Sequence, residues 1–290
     1  MYETILIPTD GSPGVENAVT HGLVLAETTD GTVHSLYVID TRVEPPGLDP
    51  EERAELRAEA RERGQTATDA VGERAAEYGL DVRRDVREGT PHQEILSHAR
   101  EHGVDLVVMG TEGTSAATRL GSTTERVVAL ADVPVLAVPR AATIERPETG
   151  HSVYDQVVIP TDGSDDAERA ADHGLELAEH YGAEVHVVYV VDTTVYDLQD
   201  SPRSIVGLLE SGGQKAVESI AADAEERNLP VTTGVMRGRP AEAIREYATG
   251  VNADLVVAGT RGRAADTDHL LGSTTARLLR RADRPVLVVE

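Results

Sequence analysis

The sequence predicts an α/β protein made of two copies of one domain, each a parallel sheet with helices on both faces. Three observations carry this expectation: the length, an internal repeat, and the alternation of apolar runs with amphipathic stretches. At 290 residues the chain exceeds one average domain and suits two of about 145. The repeat is explicit. Ile5-Leu6-Ile7-Pro8-Thr9-Asp10-Gly11-Ser12 returns as Val157-Val158-Ile159-Pro160-Thr161-Asp162-Gly163-Ser164, at an offset of 152. His21-Gly22-Leu23 and Tyr37-Val38-Ile39-Asp40-Thr41 return at the same offset, as His173-Gly174-Leu175 and Tyr189-Val190-Val191-Asp192-Thr193. Asp105-Leu106-Val107-Val108-Met109-Gly110-Thr111 returns at 149, and Leu120-Gly121-Ser122-Thr123-Thr124 at 151. Pro134-Val135-Leu136 returns as Pro285-Val286-Leu287. Chance does not produce this order twice. The division expected is domain one over 1–139, a linker over 140–152 and domain two over 153–290. The linker has little apolar periodicity and contains Pro147 and Gly150.

In copy one the strands fall at about 3–9, 32–40, 81–87, 104–109 and 133–138. They are rich in Val, Ile and Leu and mostly apolar throughout, as strands covered on both faces are. Helices fill the intervals. One starts at Asp49-Pro50-Glu51-Glu52, a capping acid, a proline in the first turn and acids against the positive helix end. Its later part sets Ala67, Ala70, Val71, Ala75 and Tyr78 on one face. Another starts at Thr90-Pro91 with Gln93 at capping-box spacing. Five strands separated by helices imply a parallel, doubly wound, Rossmann-like sheet in each copy.

Composition narrows the function classes. The net charge is −24, with residues 1–150 carrying 27 acids and 14 bases. Such a surface repels phosphate backbones and anionic membranes, so neither nucleic acid nor membrane is an expected partner. There is no cysteine, which removes disulfides, thiolate zinc sites and cysteine nucleophiles. No apolar run is long enough to span a bilayer, and Met1-Tyr2-Glu3 leads straight into a strand, so a cytoplasmic protein is expected. One lysine, Lys215, stands beside 26 arginines. An acid-rich, lysine-poor chain is the composition expected of a salt-loving microbe, where salt screens self-repulsion.

In a doubly wound sheet, ligands bind beyond the carboxyl ends of the strands at the switch point. Three pieces of each copy should meet there. The first is the end of strand one: Pro8, Thr9 and Asp10, or Pro160, Thr161 and Asp162. An acid there accepts from ribose hydroxyls or helps hold a metal, or else caps the next helix. The second is the loop after strand four. In copy two it reads Gly259-Thr260-Arg261-Gly262, nine residues, then Gly272-Ser273-Thr274-Thr275 opening a helix. Glycines let backbone wrap an anion, and N–H groups at a helix start donate to phosphate. Copy one carries Gly110, Gly113, Gly121, Ser122, Thr123 and Thr124, with seven residues between the second and third glycines and Glu112 in place of Arg261. A carboxylate beside a phosphate group is repulsive, while an arginine is attractive, so copy two is the preferred site. The third piece is the end of strand two, Val38 or Val190, whose backbone could meet an adenine edge.

At these residues the chain resembles the universal stress protein family, whose ATP-binding members carry a Gly-x2-Gly-x9-Gly-(Ser/Thr) loop. The resemblance covers both halves apart from the linker. It implies a five-stranded, adenine nucleotide α-hydrolase-like fold and pairing of domains through their last strands, 133–138 and 285–289. It also implies binding of ATP, with Mg2+, slow or absent hydrolysis, and a role in stress resistance or signalling. Carried onto this chain, the loop of copy two is Gly259, Gly262, Gly272, Ser273 and Thr274, with Asp162 as the strand-one acid and Val190 at the adenine. The partners expected are therefore an adenine nucleotide, a protein not identified, and a possible second copy of the chain.

Other signals read more plainly. His98 and His102 have helical metal-binding spacing, but copy two has Tyr247 and Val251 there, so a solvated helix face and no protein metal site are expected. Ser211-Gly212-Gly213 reads as a break in a helical region, and 49–63 as an exposed helix laced with Glu–Arg pairs. No Ser-His-Asp or paired-carboxylate arrangement follows from spacing, so no catalytic residue is assigned. A nucleotide-dependent regulator, a slow ATPase and a nucleotide-independent scaffold remain the three functional readings.

Overall fold

The computed structural model describes residues 1–112, 120–144, 146, 152–194, 203–262 and 271–290, with side chains omitted over 203–206. The chain divides into two compact units, Met1–Arg146 and Pro147–Glu290. The first holds β1 (Thr4–Pro8), α1 (Glu16–Thr29), β2 (Thr32–Asp40), α2 (Pro50–Glu77), β3 (Val82–Gly89), α3 (Pro91–Glu101), β4 (Leu106–Gly110), α4 (Ser122–Leu130) and β5 (Val135–Val138). The second holds β6 (Gln156–Thr161), α5 (Asp165–Tyr181), β7 (Glu184–Asp192), α6 (Arg203–Glu226), β8 (Val231–Gly238), α7 (Pro240–Gly250), β9 (Leu255–Gly259), α8 (Ser273–Arg281) and β10 (Val286–Val289).

Within the first unit the strands lie in the order β3-β2-β1-β4-β5, all parallel. The second unit repeats this as β8-β7-β6-β9-β10. Right-handed crossovers put α1 and α2 on one face of the first sheet and α3 and α4 on the other. Helices on both faces explain why β1, β4 and β5 are apolar without alternation, whereas the edge strand β3 and its counterpart β8 are polar and only partly buried, against the expectation of strands mostly apolar throughout. Ile5, Leu6 and Ile7 of β1 are fully buried, as are Val157, Val158 and Ile159 of β6. The repeated aspartate of the fourth strand has a structural task. Asp105 Oδ2 accepts from the Glu3 and Thr4 amides at 3.0 and 2.9 Å. Asp254 Oδ2 does the same for Asp155 and Gln156, at 2.9 and 3.0 Å. Each carboxylate thus latches the start of strand one to strand four.

Several local expectations change. The capping box at Asp49 is present, with Oδ1 accepting from the Glu51 and Glu52 amides and Glu52 returning to Asp49 N. The buried face of α2 is Ala60, Gly64, Thr68, Val71 and Ala75, whereas Ala70 is exposed. Thr90 is the N-cap of α3, but its side chain makes no capping bond. The arginines of 49–63 do not pair along their own helix. Arg53 and Arg57 reach Glu44, and Arg57 and Arg61 reach Glu88. In the expected linker, Arg146 pairs with Glu27 and stacks 5.0 Å from the centre of the Tyr78 ring.

The expected break at Ser211-Gly212-Gly213 is absent, since α6 runs continuously through it. Gly213 is needed instead for close packing. A methyl group there would overlap Tyr189 of β7, 2.8 Å from Cγ and 2.9 Å from Cε1. Gly64 repeats the device in unit one, where a methyl would sit 2.7 Å from Tyr37 Cδ1.

Candidate functional site

Both strand-one ends turn in the same way. In unit two, Thr161 Oγ1 accepts from Gly163 N at 3.0 Å and Asp162 Oδ1 accepts from Ser164 N at 3.0 Å. In unit one, Thr9 and Asp10 hold Gly11 and Ser12 at 3.1 and 2.9 Å. The glycines take φ +71 in both turns, a left-handed conformation that suits glycine. The aspartates are therefore turn-formers and not helix caps. Ser164 caps α5, its hydroxyl accepting from Ala167 N at 3.3 Å. The capping alternative for the acids is thus corrected. A Thr-Asp-Gly-Ser run, with the glycine supplying the left-handed residue, is the signal that could have shown it.

The strand-four loop of unit two comes to this turn. A Cβ on Gly262 would overlap the Asp162 carboxylate, and one on Gly259 would lie 2.8 Å from Asp166 O. A Cβ on Gly272 would meet Thr260 O at 3.1 Å and Arg261 Cα at 3.2 Å. Backbone thus passes too close for a side chain at Gly259, tightly at Gly272, and at Gly262 a side chain would displace the Asp162 carboxylate. Gly272 N donates to Thr260 O at 2.9 Å, which closes the described part of the loop onto the start of α8. Gly272 is the N-cap of α8, and no side chain of the described residues caps that helix. Ser273 is exposed and Thr274 half-buried at the helix start, and Arg261 is exposed. Residues 263–270, eight of the nine spacer residues, lie outside the described residues.

Thr275 plays a different part from the one its motif suggests. It is buried, and its hydroxyl donates to Gly259 O at 2.8 Å. Thr124 does the same to Gly110 O at 2.9 Å. These hydroxyls tie the helix start to the strand end and are not available as phosphate donors. Asp166 adds a negative group beside the loop, accepting from Thr260 Oγ1 at 3.2 Å, but Arg169 pairs with it at 2.6 Å.

Pro160 and Thr161 are the last residues of β6, paired with Val188 and Tyr189 of β7. Val190 follows one residue beyond that pairing and is matched on its other side to Met236 of β8. Its backbone edge toward β6 therefore extends past the end of that strand, next to the Asp162 turn. Val38 stands equivalently, paired with Arg87 of β3 and past the Pro8–Leu36 match.

Unit one brings together Pro8, Thr9, Asp10, Gly110, Gly121, Ser122, Thr123 and Thr124 in the same arrangement. A Cβ on Gly110 would lie 2.9 Å from Gly14 O and 3.3 Å from Glu112 O. Gly121 N donates to Thr111 O at 2.8 Å, and Ser122 is exposed at an α4 start that no side chain of the described residues caps. Gly113 lies outside the described residues. A feature with no sequence signal is a cleft of about 700 Å³ between α1 and α2, reached by Thr9, Asp10, Gly11 and Ser12 and walled by Val15, Val19, Tyr37 and Val71. Among the described residues its lining includes neither Val38 nor the α4 start.

The comparisons agree with this architecture. The chain is 39% identical over 144 residues to universal stress protein MJ0531 of Methanocaldococcus jannaschii, spanning 49% of this chain and 85% of the relative. A universal stress protein of Mycolicibacterium smegmatis is 28% identical over 229 residues, 78% of this chain and 73% of that protein. The crystal structure of a universal stress protein from Archaeoglobus fulgidus shares the fold, with a TM-score of 0.71 at 23% identity over 99% of this chain and 96% of that one. The pattern of the universal stress protein family matches residues 1–139 and again 154–290, and the chain belongs to that family as a tandem of two such domains.

Proposed function

We propose that this protein binds an adenine nucleotide, ATP carried with Mg2+, at the switch point of unit two, and that the nucleotide state governs its association with a partner in a stress response. One observation carries the reading. The α8 N-terminus opens with Gly272 and, among the described residues, no side-chain cap, Gly262 lies against the Asp162 carboxylate, and Ser273 is exposed at the first helical position. Uncapped N–H groups at a helix start, with the helix dipole behind them, suit phosphate oxygens. In this reading Ser273 and Thr274 hydroxyls add donors, Arg261 adds positive charge, Asp162 takes the ribose side and the Val190 backbone meets the base. Thr275 positions the helix start through Gly259. ATP supplies the phosphate charge and brings the metal; these residues orient it. Unit one binds more weakly, because Glu112 stands where unit two has Arg261. Pairing of the two domains through their last strands, and of two chains, belongs to the same proposal. Sedimentation of the whole chain and of each separate domain tests it.

The deciding measurement is calorimetric titration of Mg–ATP into the whole chain in high salt. The expected result is one binding event per chain, lost in Gly262→Asp and weakened about tenfold in Arg261→Glu. Arg261 is exposed, so the second variant leaves the fold intact. Absence of heat and of thermal shift at millimolar ATP would overturn the reading in favour of a nucleotide-independent scaffold. Turnover of labelled ATP separates a regulator from a slow ATPase.

A further inference from the structure

Unit one contains a side-chain cluster far from the glycine loop. His34 of β2, Asp85 of β3, His98 of α3 and His102 at the α3 C-cap gather on the α3 face, toward the end of the sheet where the strands begin. The expectation of a solvated histidine pair is wrong, because His98 is fully buried. The rings of His98 and His102 have centroids 4.4 Å apart, and His34 lies 5.3 Å from each. Two buried ring nitrogens, His98 Nδ1 and His102 Nε2, have no hydrogen-bond partner among the described residues. Asp85 Oδ2 stands 3.9 Å from His98 Nδ1, too far for a hydrogen bond. One ligand atom from each of Asp85, His98 and His102 lies within 4.8 Å of the other two.

We propose that Asp85, His98 and His102 form a binding site for a divalent late-transition-metal cation of the Zn2+ class. Two imidazoles and a carboxylate are donors that such an ion takes, and hard oxygen-seeking ions such as Mg2+ do not select. Three protein ligands leave a fourth position for water. His34 supplies the outer contact that orients a ligating histidine. His34 Nδ1 and His98 Nε2 are 3.0 Å apart, so a proton on His98 Nε2 donates to His34 and leaves the Nδ1 lone pair facing Asp85. His102 sits at the C-cap of α3, where the helix dipole favours positive charge.

The competing groups are known. Arg83 Nε donates to Asp85 Oδ2 at 3.1 Å, and Arg83 Nη1 is 3.4 Å from His102 Nδ1. Its side chain is half exposed and can leave for solvent when an ion arrives. Arg87 is held by Glu101 and Glu94. Metal–ligand bonds of about 2 Å require ligand atoms roughly 3.3 Å apart, so Asp85 and His102, neither fully buried, must close slightly on His98. Unit two shows that the fold does not require the cluster. There Gly234 and Val251 replace Asp85 and His102, while His186 is satisfied on both nitrogens, by Tyr247 Oη at 3.1 Å and Gln156 Oε1 at 2.6 Å.

The test uses the full chain, stripped by chelator and free of nucleotide, titrated with Co2+ and then Zn2+. One Co2+ per chain, giving a ligand-field spectrum that Zn2+ abolishes, is expected. Asp85→Asn and His102→Gln, read beside unchanged far-ultraviolet circular dichroism, should each lose the spectrum. His34→Gln should keep it with affinity about 10–100-fold weaker. Absence of a Co2+ spectrum, or stoichiometric binding unaltered by both ligand substitutions, would overturn the assignment.

Discussion

Neighbouring glycines in α6 should respond to alanine with opposite signs. Gly212 is exposed, and nothing lies within 4 Å of a Cβ placed there. Gly212→Ala removes the backbone-entropy cost of glycine in a helix and should stabilise the protein by roughly 0.5–1 kcal/mol. Gly213→Ala gains the same helix preference but forces its methyl into the Tyr189 ring, 2.8 Å from Cγ and 2.9 Å from Cε1. Overpacking of this kind costs about 1–3 kcal/mol. The ring belongs to a strand and cannot retreat as a flexible chain end would, so the upper part of that range applies. The net effect is a loss of about 1–2 kcal/mol, and the two variants should differ by about 2–3 kcal/mol. Urea denaturation in high salt, followed by circular dichroism, measures both. Repeating Gly213→Ala in a Tyr189→Ala background tests the cause, because the penalty should largely vanish once the ring is gone. A Gly213→Ala protein as stable as Gly212→Ala, or an unchanged penalty without the ring, would refute the reasoning.

Two further outcomes follow from buried polar groups. Burial pushes His21 down from 6.5 to about 4, and its Nδ1 has no hydrogen-bond partner among the described residues. The folded pKa lies below the unfolded one, so the unfolded chain takes up the proton first. Stability is full above 6.5 and falls toward pH 4 by up to about 3 kcal/mol. His21→Leu should reduce that acid sensitivity in denaturant midpoints across the window, and an identical pH slope in the variant would count against the account. Thr275→Val removes the donor to Gly259 O and should cost about 1–3 kcal/mol. It should also weaken Mg–ATP binding measured by calorimetry, whereas Thr124→Val in unit one should cost similar stability and leave the main binding event intact.

Much of this molecule is written locally. The repeat, the two-sided burial of the strands, the Asp49 cap and the glycine spacing are properties of neighbouring residues, so the sequence by itself determined the tandem α/β fold and the strand ends on which the proposed site rests. Periodicity could not say what Gly213 touches, because that depends on how close α6 approaches β7. It did not assign Asp162 to the turn and Ser164 to the cap, because both residue types serve either use and only the Thr-Asp-Gly-Ser pattern, not periodicity, separates them. The histidine cluster is the clearest case. Spacing paired His98 with His102, but His34 and Asp85 come from two strands whose register and whose contact with α3 bring them there. Helix rotation and strand register are decided by packing of the whole core, and only the tertiary structure decided that a pair expected to face water would face a carboxylate instead.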